Sequence, residues 1–141
     1  MKNYRLADYF FSKFIRARDK KCQNPKCRKK SKELQCSHFW RRDEWIARYD
    51  EDNCITLCIN CHYKDKMSWE HDKHGAYRDY MRRRIGVKRF DALRRKVMNA
   101  RKTRVPRSII IRKAIANYGE TKNLQRKGVQ NIKRTRTSKK R

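Results

Sequence analysis

Four short segments between residues 22 and 62 set the fold of this chain: CQNPKC at 22–27, QCSHFW at 35–40, RYDEDN at 48–53 and LCINCH at 57–62. The first and the last of these segments each hold two cysteines, at C-x4-C and C-x2-C spacing. Two such turns can supply the four soft ligands that a tetrahedral Zn²⁺ site requires. We therefore predict a structural zinc site formed by Cys22, Cys27, Cys58 and Cys61.

Three further residues of this stretch have the chemistry of phosphodiester hydrolysis. In-line attack by water needs a base for the water's proton and a cation for the charge on the leaving oxygen. His38 can act as the base, and Asn53 can hold its ring by a hydrogen bond across the two strands. His62 is fixed by the adjacent cysteine and can ligate Mg²⁺ or Mn²⁺ as the catalytic ion. Alternatively, His62 replaces one thiol as a zinc ligand.

Arginines in the same stretch are candidates for contacts with the substrate. Arg48 lies in the loop expected to face the scissile phosphate, where a guanidinium can clamp phosphate with two hydrogen bonds. Arg41 and Arg42 are predicted phosphate-backbone contacts for the same reason. The alternative for Arg48 is a surface ion pair with Asp50 or Asp52.

Six cysteines raise the question of redox compartment. The chain has no signal-peptide core and no run of 18 apolar residues, so we expect a cytoplasmic protein without membrane association. Thiols stay reduced there, which favours metal ligation over disulfides. Cys36 and Cys54 have no partner at knuckle spacing, and we predict that they are small buried side chains on strands.

The composition identifies the expected partner. Lys and Arg number 42 among 141 residues against 14 acids, which gives a formal net charge of +28. Self-repulsion of that size is relieved by a polyanion, so nucleic acid is the first choice. The basic residues are spread along the chain, which favours binding to the phosphate backbone over reading of bases. Hydrophobic residues make up 37%, a small core that benefits from a metal staple.

The apolar periodicity predicts an α+β chain with four parts. Within the second part we expect a strand, a loop, a second strand, a cysteine turn and a helix from near His62 to Met67. Ser68 is a predicted N-cap for the next helix, and Gly86 a predicted stop. The parts are an N-terminal helix at 1–18, a zinc-stapled nuclease core at 19–70, a basic helical region at 71–119 and a disordered basic tail at 120–141.

The order of these motifs resembles the His-Asn-His (HNH) nuclease superfamily, whose fold is a ββα-metal core. The resemblance rests on Cys22-x4-Cys27, Ser37-His38-Phe39, Arg48-x4-Asn53 and Leu57-Cys58-x2-Cys61-His62. Within the superfamily, three segments are similar to the phage recombination nuclease family called NinG or Rap. They are SHFW at 37–40, RYDEDN at 48–53 and YMRRRIGVKRFDAL at 80–93.

The resemblance implies an endonuclease that cuts branched DNA, such as Holliday junctions and displacement loops, during bacteriophage recombination. It implies a 5′-phosphate and a 3′-hydroxyl at the cut, and action near the nucleoid of a bacterial host. By position, His38 matches the general base, Asn53 the orienting asparagine and His62 the terminal metal ligand. Paired symmetric cuts would be made by a homodimer.

The chain departs from the superfamily at Ser37, where many members have a metal-binding aspartate. A hydroxyl is a poorer Mg²⁺ ligand than a carboxylate. Asp50 could replace it, the ion could be held by His62 with phosphate and water, or His38 could itself be a ligand while another group activates the water. Two other functions remain open: a non-catalytic zinc-stabilised nucleic-acid-binding protein, and an HNH nuclease that cuts linear duplex.

Overall fold

The computed structural model describes residues 3–27, 32–64, 68–69, 71, 75–103 and 105–119. The chain is α+β, as predicted. Its elements are α1 (Asn3–Asp19), β1 (Leu34–His38), β2 (Cys54–Cys58), α2 (Ala76–Ile85), α3 (Val87–Ala100) and α4 (Arg107–Gly119). None of the described helices has the length and apolar character needed to cross a membrane. The predicted disordered tail, 120–141, lies outside the described residues.

The two strands form one antiparallel sheet, which lies between two helical layers. Leu34 pairs with Cys58 at one end and His38 pairs with Cys54 at the other. Successive side chains of a strand point to opposite faces. Cys36 and His38 therefore share one face of the sheet, whereas Ser37 faces the opposite side, where its hydroxyl lies 3.0 Å from the Tyr77 hydroxyl.

Each face of the sheet is covered by a separate helical layer. On the face that holds Cys54, α1 and α4 pack together and bury apolar side chains at helical spacing. On the other face, α2 and α3 enclose an aromatic core with the inward side chains of β2. Gly86 joins these two helices with a φ of 81°, a backbone conformation that residues other than glycine rarely adopt. The buried residues of these two cores are Ala7, Phe11, Ile15, Cys54, Ala114 and Tyr118 on the first face, and Ile55, Leu57, Trp69, Tyr77, Met81 and Phe90 on the second.

The segment after β2 is helical around His62, as expected. The helical turn covers Asn60–Lys64, and residues 65–67, where the helix is expected to end, lie outside the described part of the chain. The next helix begins at Ala76 and not at Ser68. Ser68 belongs instead to a buried turn, because Trp69 is only 6% exposed and stacks on Tyr77 with ring centroids 5.0 Å apart. Burial of that indole outweighs the local capping preference of the serine.

Asp19, the last residue of α1, ties this helix to both neighbouring layers. Its carboxylate accepts hydrogen bonds from Arg18, from Arg84 on α2 at 2.6 Å and from the Thr56 amide of β2 at 2.7 Å. Burial opposes ionisation of Asp19, but the hydrogen bonds from Arg18 and Thr56 and the charges of Arg18 and Arg84 hold its pKa below the usual value. The Asp19 side chain is 2% exposed, so solvent cannot replace the hydrogen bonds and ion pairs that are lost when its charge is removed.

We expect Asp19→Asn to destabilise the fold by about 2–4 kcal/mol, less than for a fully buried pair because Arg18 and Arg84 keep about a quarter of their exposure. Urea unfolding of the zinc-loaded chain measures this change. Asp79→Asn is the matched control, since its pair with Arg78 is half exposed. That control should change stability by less than about 0.5 kcal/mol. Equal effects of the two substitutions would contradict the role assigned to Asp19.

Candidate functional site

The four predicted zinc cysteines come together. The sulfur atoms of Cys22, Cys27, Cys58 and Cys61 all lie within 4.8 Å of one another, and those of Cys27 and Cys58 are 3.7 Å apart. A tetrahedral Zn²⁺ with Zn–S bonds of about 2.3 Å places its sulfurs about 3.8 Å apart. The cluster therefore fits a zinc ion. Among the described residues it contains cysteines alone, so His62 is not one of its members.

Local backbone geometry explains how the first cysteine turn reaches the second. Asn24 and Pro25 form a tight turn in which the Asn24 side chain accepts from the Lys26 amide at 2.9 Å. The same side chain lies 3.5 Å from the Cys61 sulfur, to which its amide group donates. The main-chain N–H of Gln23 donates to the Thr56 carbonyl at 2.9 Å, which fixes this turn to β2. Hydrogen bonds of this kind orient thiolate ligands.

The surroundings of the four thiols favour ionisation of Cys58 and oppose ionisation of Cys61. Burial opposes ionisation of Cys58, but hydrogen bonds from the backbone and thiol of Cys61 and from the other two thiols lower its pKa. Burial and the neighbouring thiols raise the pKa of Cys61. A divalent cation would remove this conflict, because it stabilises all four thiolates together.

His38 and His62 line one cleft of about 600 Å³ between α1 and the sheet. Arg42 is the one predicted substrate-binding arginine that also lines it. Most charged groups of the cleft are basic, so its field favours an anion such as phosphate. The other residues of the lining are Arg5, Asp8, Tyr9, Phe11, Ser12, Arg16, Gln35, Cys36 and Tyr63.

His38 is held at the end of β1 as a neutral imidazole. Its Nε2 lies 3.0 Å from the Arg48 carbonyl, which can only accept, so Nε2 carries the proton and the lone pair is on Nδ1. Burial, together with the nearby charges of Arg42 and Arg48, lowers the pKa of His38 to about 4. The ring is therefore uncharged at neutral pH and able to accept a proton or a metal ion.

His62 is oriented from the first strand. Its Nδ1 lies 2.7 Å from the Gln35 side-chain oxygen, so Nδ1 donates and Nε2 carries the lone pair. This contact was not expected from the sequence. It gives His62 the arrangement usual for metal-binding histidines, in which one ring nitrogen is fixed by an oxygen acceptor and the other binds the ion.

Asn53 acts on the loop that follows β1. Its side chain accepts from the Trp40 amide at 2.7 Å and donates to the Trp40 and Ala47 carbonyls, both at 2.9 Å. The expected hydrogen bond to the His38 ring is replaced, in the described part of the chain, by these main-chain contacts. Asn53 thereby positions the loop whose Arg48 carbonyl meets His38. Its effect on His38 is transmitted through the backbone.

Arg48 is bound inside the protein. Its guanidinium donates twice to Asp8, at 2.9 and 2.6 Å, and once to the Arg42 carbonyl, and it lies 4.6 Å from the Trp45 ring. The residue is 8% exposed. The carboxylate partner is therefore Asp8 of α1 and neither of the two aspartates considered from the sequence. A phosphate contact by Arg48 would require this pair to open.

Asp50 and Arg41 lie away from the two histidines. Asp50 caps the amide of Asp52 and pairs with Lys96 at 2.8 Å, in a depression on the α3 side that does not include His62. This placement does not support Asp50 as the substitute metal ligand. The carboxylate that lines the histidine cleft is Asp8. Arg41 is 77% exposed beside Asp43 and remains a candidate for contact with a long polyanion.

A second group of potential metal ligands includes His38 itself. Cys36, His38 and Cys54 each present a ligand atom, and these atoms lie within 4.8 Å of one another. Cys54 is 1% exposed, whereas Cys36 lines the cleft. Alternation along β1 placed Cys36 and His38 on one face, a signal available in the sequence. The approach of Cys54 depends on strand register, which no local pattern indicates.

Comparisons of the chain with protein-family models, with curated proteins and with solved structures found no match. The assignment of function therefore depends on the residues and their geometry.

Proposed function

We propose that this protein is a metal-dependent DNA endonuclease of the His-Asn-His type, with branched recombination intermediates as its substrates. The observation that carries the proposal is the cleft that both His38 and His62 line, together with the basic side chains of Arg5, Arg16 and Arg42. A base with a lone pair, a second oriented imidazole and a cationic lining are the groups that phosphodiester hydrolysis requires. The net charge of +28 supports a polyanionic substrate.

In this proposal, Nδ1 of His38 accepts the proton of the attacking water. The Arg48 carbonyl holds the ring in the necessary tautomer, and burial keeps it unprotonated at neutral pH. Arg5, Arg16 and Arg42 attract and position the phosphate. Guanidiniums in the lining of the cleft can stabilise charge that develops on the phosphate oxygens.

His62 is the proposed protein ligand for Mg²⁺ or Mn²⁺. Bound there, the ion would stabilise negative charge on the scissile phosphate and the leaving oxygen. Mg²⁺ usually keeps several waters and completes its shell with substrate phosphate, so a protein can hold it with few ligands of its own.

The substrate claim is tested with one four-way junction, one flap and one linear duplex of the same sequence, at matched ionic strength. The zinc-loaded full chain should nick the junction when Mg²⁺ or Mn²⁺ is added and be inactive when that ion is omitted. Omission is preferable to a chelator, which would also remove structural zinc. The product should carry a 5′-phosphate and 3′-hydroxyl and be sealed by a ligase.

Each other outcome of this assay supports a different function. Binding of all three DNAs without any cleavage would make the chain a non-catalytic zinc-stabilised nucleic-acid-binding protein. Equal cleavage of junction and duplex would keep the nuclease and reject the branched substrate. A homodimer, also proposed, would nick both strands of one junction within a single binding event.

A further inference from the structure

We propose that Cys36, His38 and Cys54 form a second metal site, for Zn²⁺, which shares the His38 lone pair with the proposed hydrolysis. The three ligand atoms lie within 4.8 Å of one another, on the sheet face that carries α1. None of these residues belongs to the four-cysteine cluster. The shared role of His38 rests on the proposed function, whereas metal binding by the three side chains does not.

The donor set matches zinc in type and in charge. Two thiolates and one imidazole are soft or borderline ligands, which favour Zn²⁺ over Mg²⁺. Two thiolates neutralise the ion completely, so the bound complex adds no net charge to a site where Cys54 is 1% exposed. Binding releases the two thiol protons to solvent, and no oxidant or reductant takes part.

The geometry gives this site an open side. Cys36 and His38 line the cleft, while Cys54 closes the site from behind within the core formed by α1, β2 and α4. Three protein ligands with a fourth position open to solvent are typical of zinc sites that exchange their fourth ligand. Water or a phosphate oxygen could reach that position through the cleft.

Occupation of the site would remove the base. A neutral imidazole has one lone pair, and the same pair cannot bind Zn²⁺ and accept a proton. Excess Zn²⁺ should therefore inhibit cleavage that Mg²⁺ supports, although the four-cysteine cluster needs zinc. The chain would distinguish a structural zinc that it retains from an inhibitory zinc that it exchanges.

Cobalt titration of the reduced full chain, loaded beforehand with a single Zn²⁺ per chain for the four-cysteine cluster, tests the site without DNA. The four-cysteine cluster should keep its zinc, because zinc binds more tightly than cobalt. A further Co²⁺ ion should then bind, with thiolate-to-cobalt charge transfer and the visible bands of tetrahedral cobalt, for roughly two metal ions per chain in native mass spectra. Cys36→Ser should weaken this uptake by roughly a hundredfold.

Ser12→Ala is the matched control, because Ser12 lines the same cleft without offering a ligand of this group. It should keep the second ion. Cys54→Ala should lose it, and if that buried substitution prevents folding, Cys36→Ser decides the question because Cys36 is half-buried. Uptake of one ion alone by the wild type, or a second ion that survives Cys36→Ser, would overturn the proposal.

Inhibition is then measured on the junction with Mg²⁺ held constant and Zn²⁺ increased. Cys36→Ser should need roughly a hundredfold more Zn²⁺ than the wild type for the same inhibition. If the second ion binds but the wild type never cleaves DNA, the metal site stands and the nuclease proposal fails. If cleavage occurs and no second ion binds, the reverse holds.

Discussion

Cys58→Ser should leave the chain unfolded at neutral pH and room temperature. Cys58 is fully buried at the end of β2, and its sulfur lies 3.7 Å from that of Cys27. Structural zinc contributes about 10–16 kcal/mol in small domains. The whole stability of an ordinary domain is about 5–15 kcal/mol, so loss of a zinc ligand can consume all of it.

Circular dichroism and zinc content measure this outcome together. The variant should lose helical signal and its structural zinc, and treatment of the wild type with a zinc chelator should have the same effect. Zn²⁺ should restore the chelated wild type, whereas Mg²⁺ should not, because thiolates are soft ligands. Cys36→Ser is the control, since its side chain lies outside the four-cysteine cluster and should keep the fold. A folded, zinc-free Cys58→Ser chain would contradict a stapling role.

The parts of the fold that sequence reasoning reached are those governed by short-range spacing. Two cysteine turns at fixed spacing predicted one cluster, and the aromatic-rich segment at 34–41 and the β-branched residues Ile55 and Thr56 predicted two strands. Asn24 and Pro25 favour the turn that points Cys27 toward Cys58, because their conformational preferences act over two or three residues. The spacing of the cysteines along the sequence was therefore sufficient to predict their cluster.

The surroundings of the histidines depend on contacts that no local pattern encodes. Asp8 lies forty residues before Arg48 in the chain, and its side chain reaches the cleft because α1 packs across the sheet. Asp50 was chosen by proximity in sequence, but a short capping turn directs it to Lys96 instead. Placement of such groups is set by packing between layers, which single-sequence periodicity does not determine.

The two histidines of the cleft are held in the same way. The four-cysteine cluster fixes the end of β2, and the turn after it then carries His62 toward Gln35 of β1. At the other end of the sheet, Asn53 fixes the loop whose carbonyl orients His38. Each histidine is thus held by a partner on a different segment, so its position depends on the complete fold.

His38→Ala should reduce junction cleavage by about 10²–10⁴-fold, which is the usual contribution of a positioned general base. The substitution removes the Nδ1 lone pair and leaves the basic lining of the cleft in place. The rate of the chemical step should therefore fall in single-turnover assays, while the affinity for the junction should change little. These two measurements separate loss of the base from loss of DNA binding.

His71→Ala is the matched control, because His71 is exposed and does not line the cleft. It should cleave at the wild-type rate, and both variants should keep the structural zinc and unfold at similar temperatures. Cleavage by His38→Ala at the wild-type rate would show that another group activates the water. A loss of cleavage accompanied by loss of the structural zinc or of junction binding would instead make His38 a structural residue, since a general base is required for neither property.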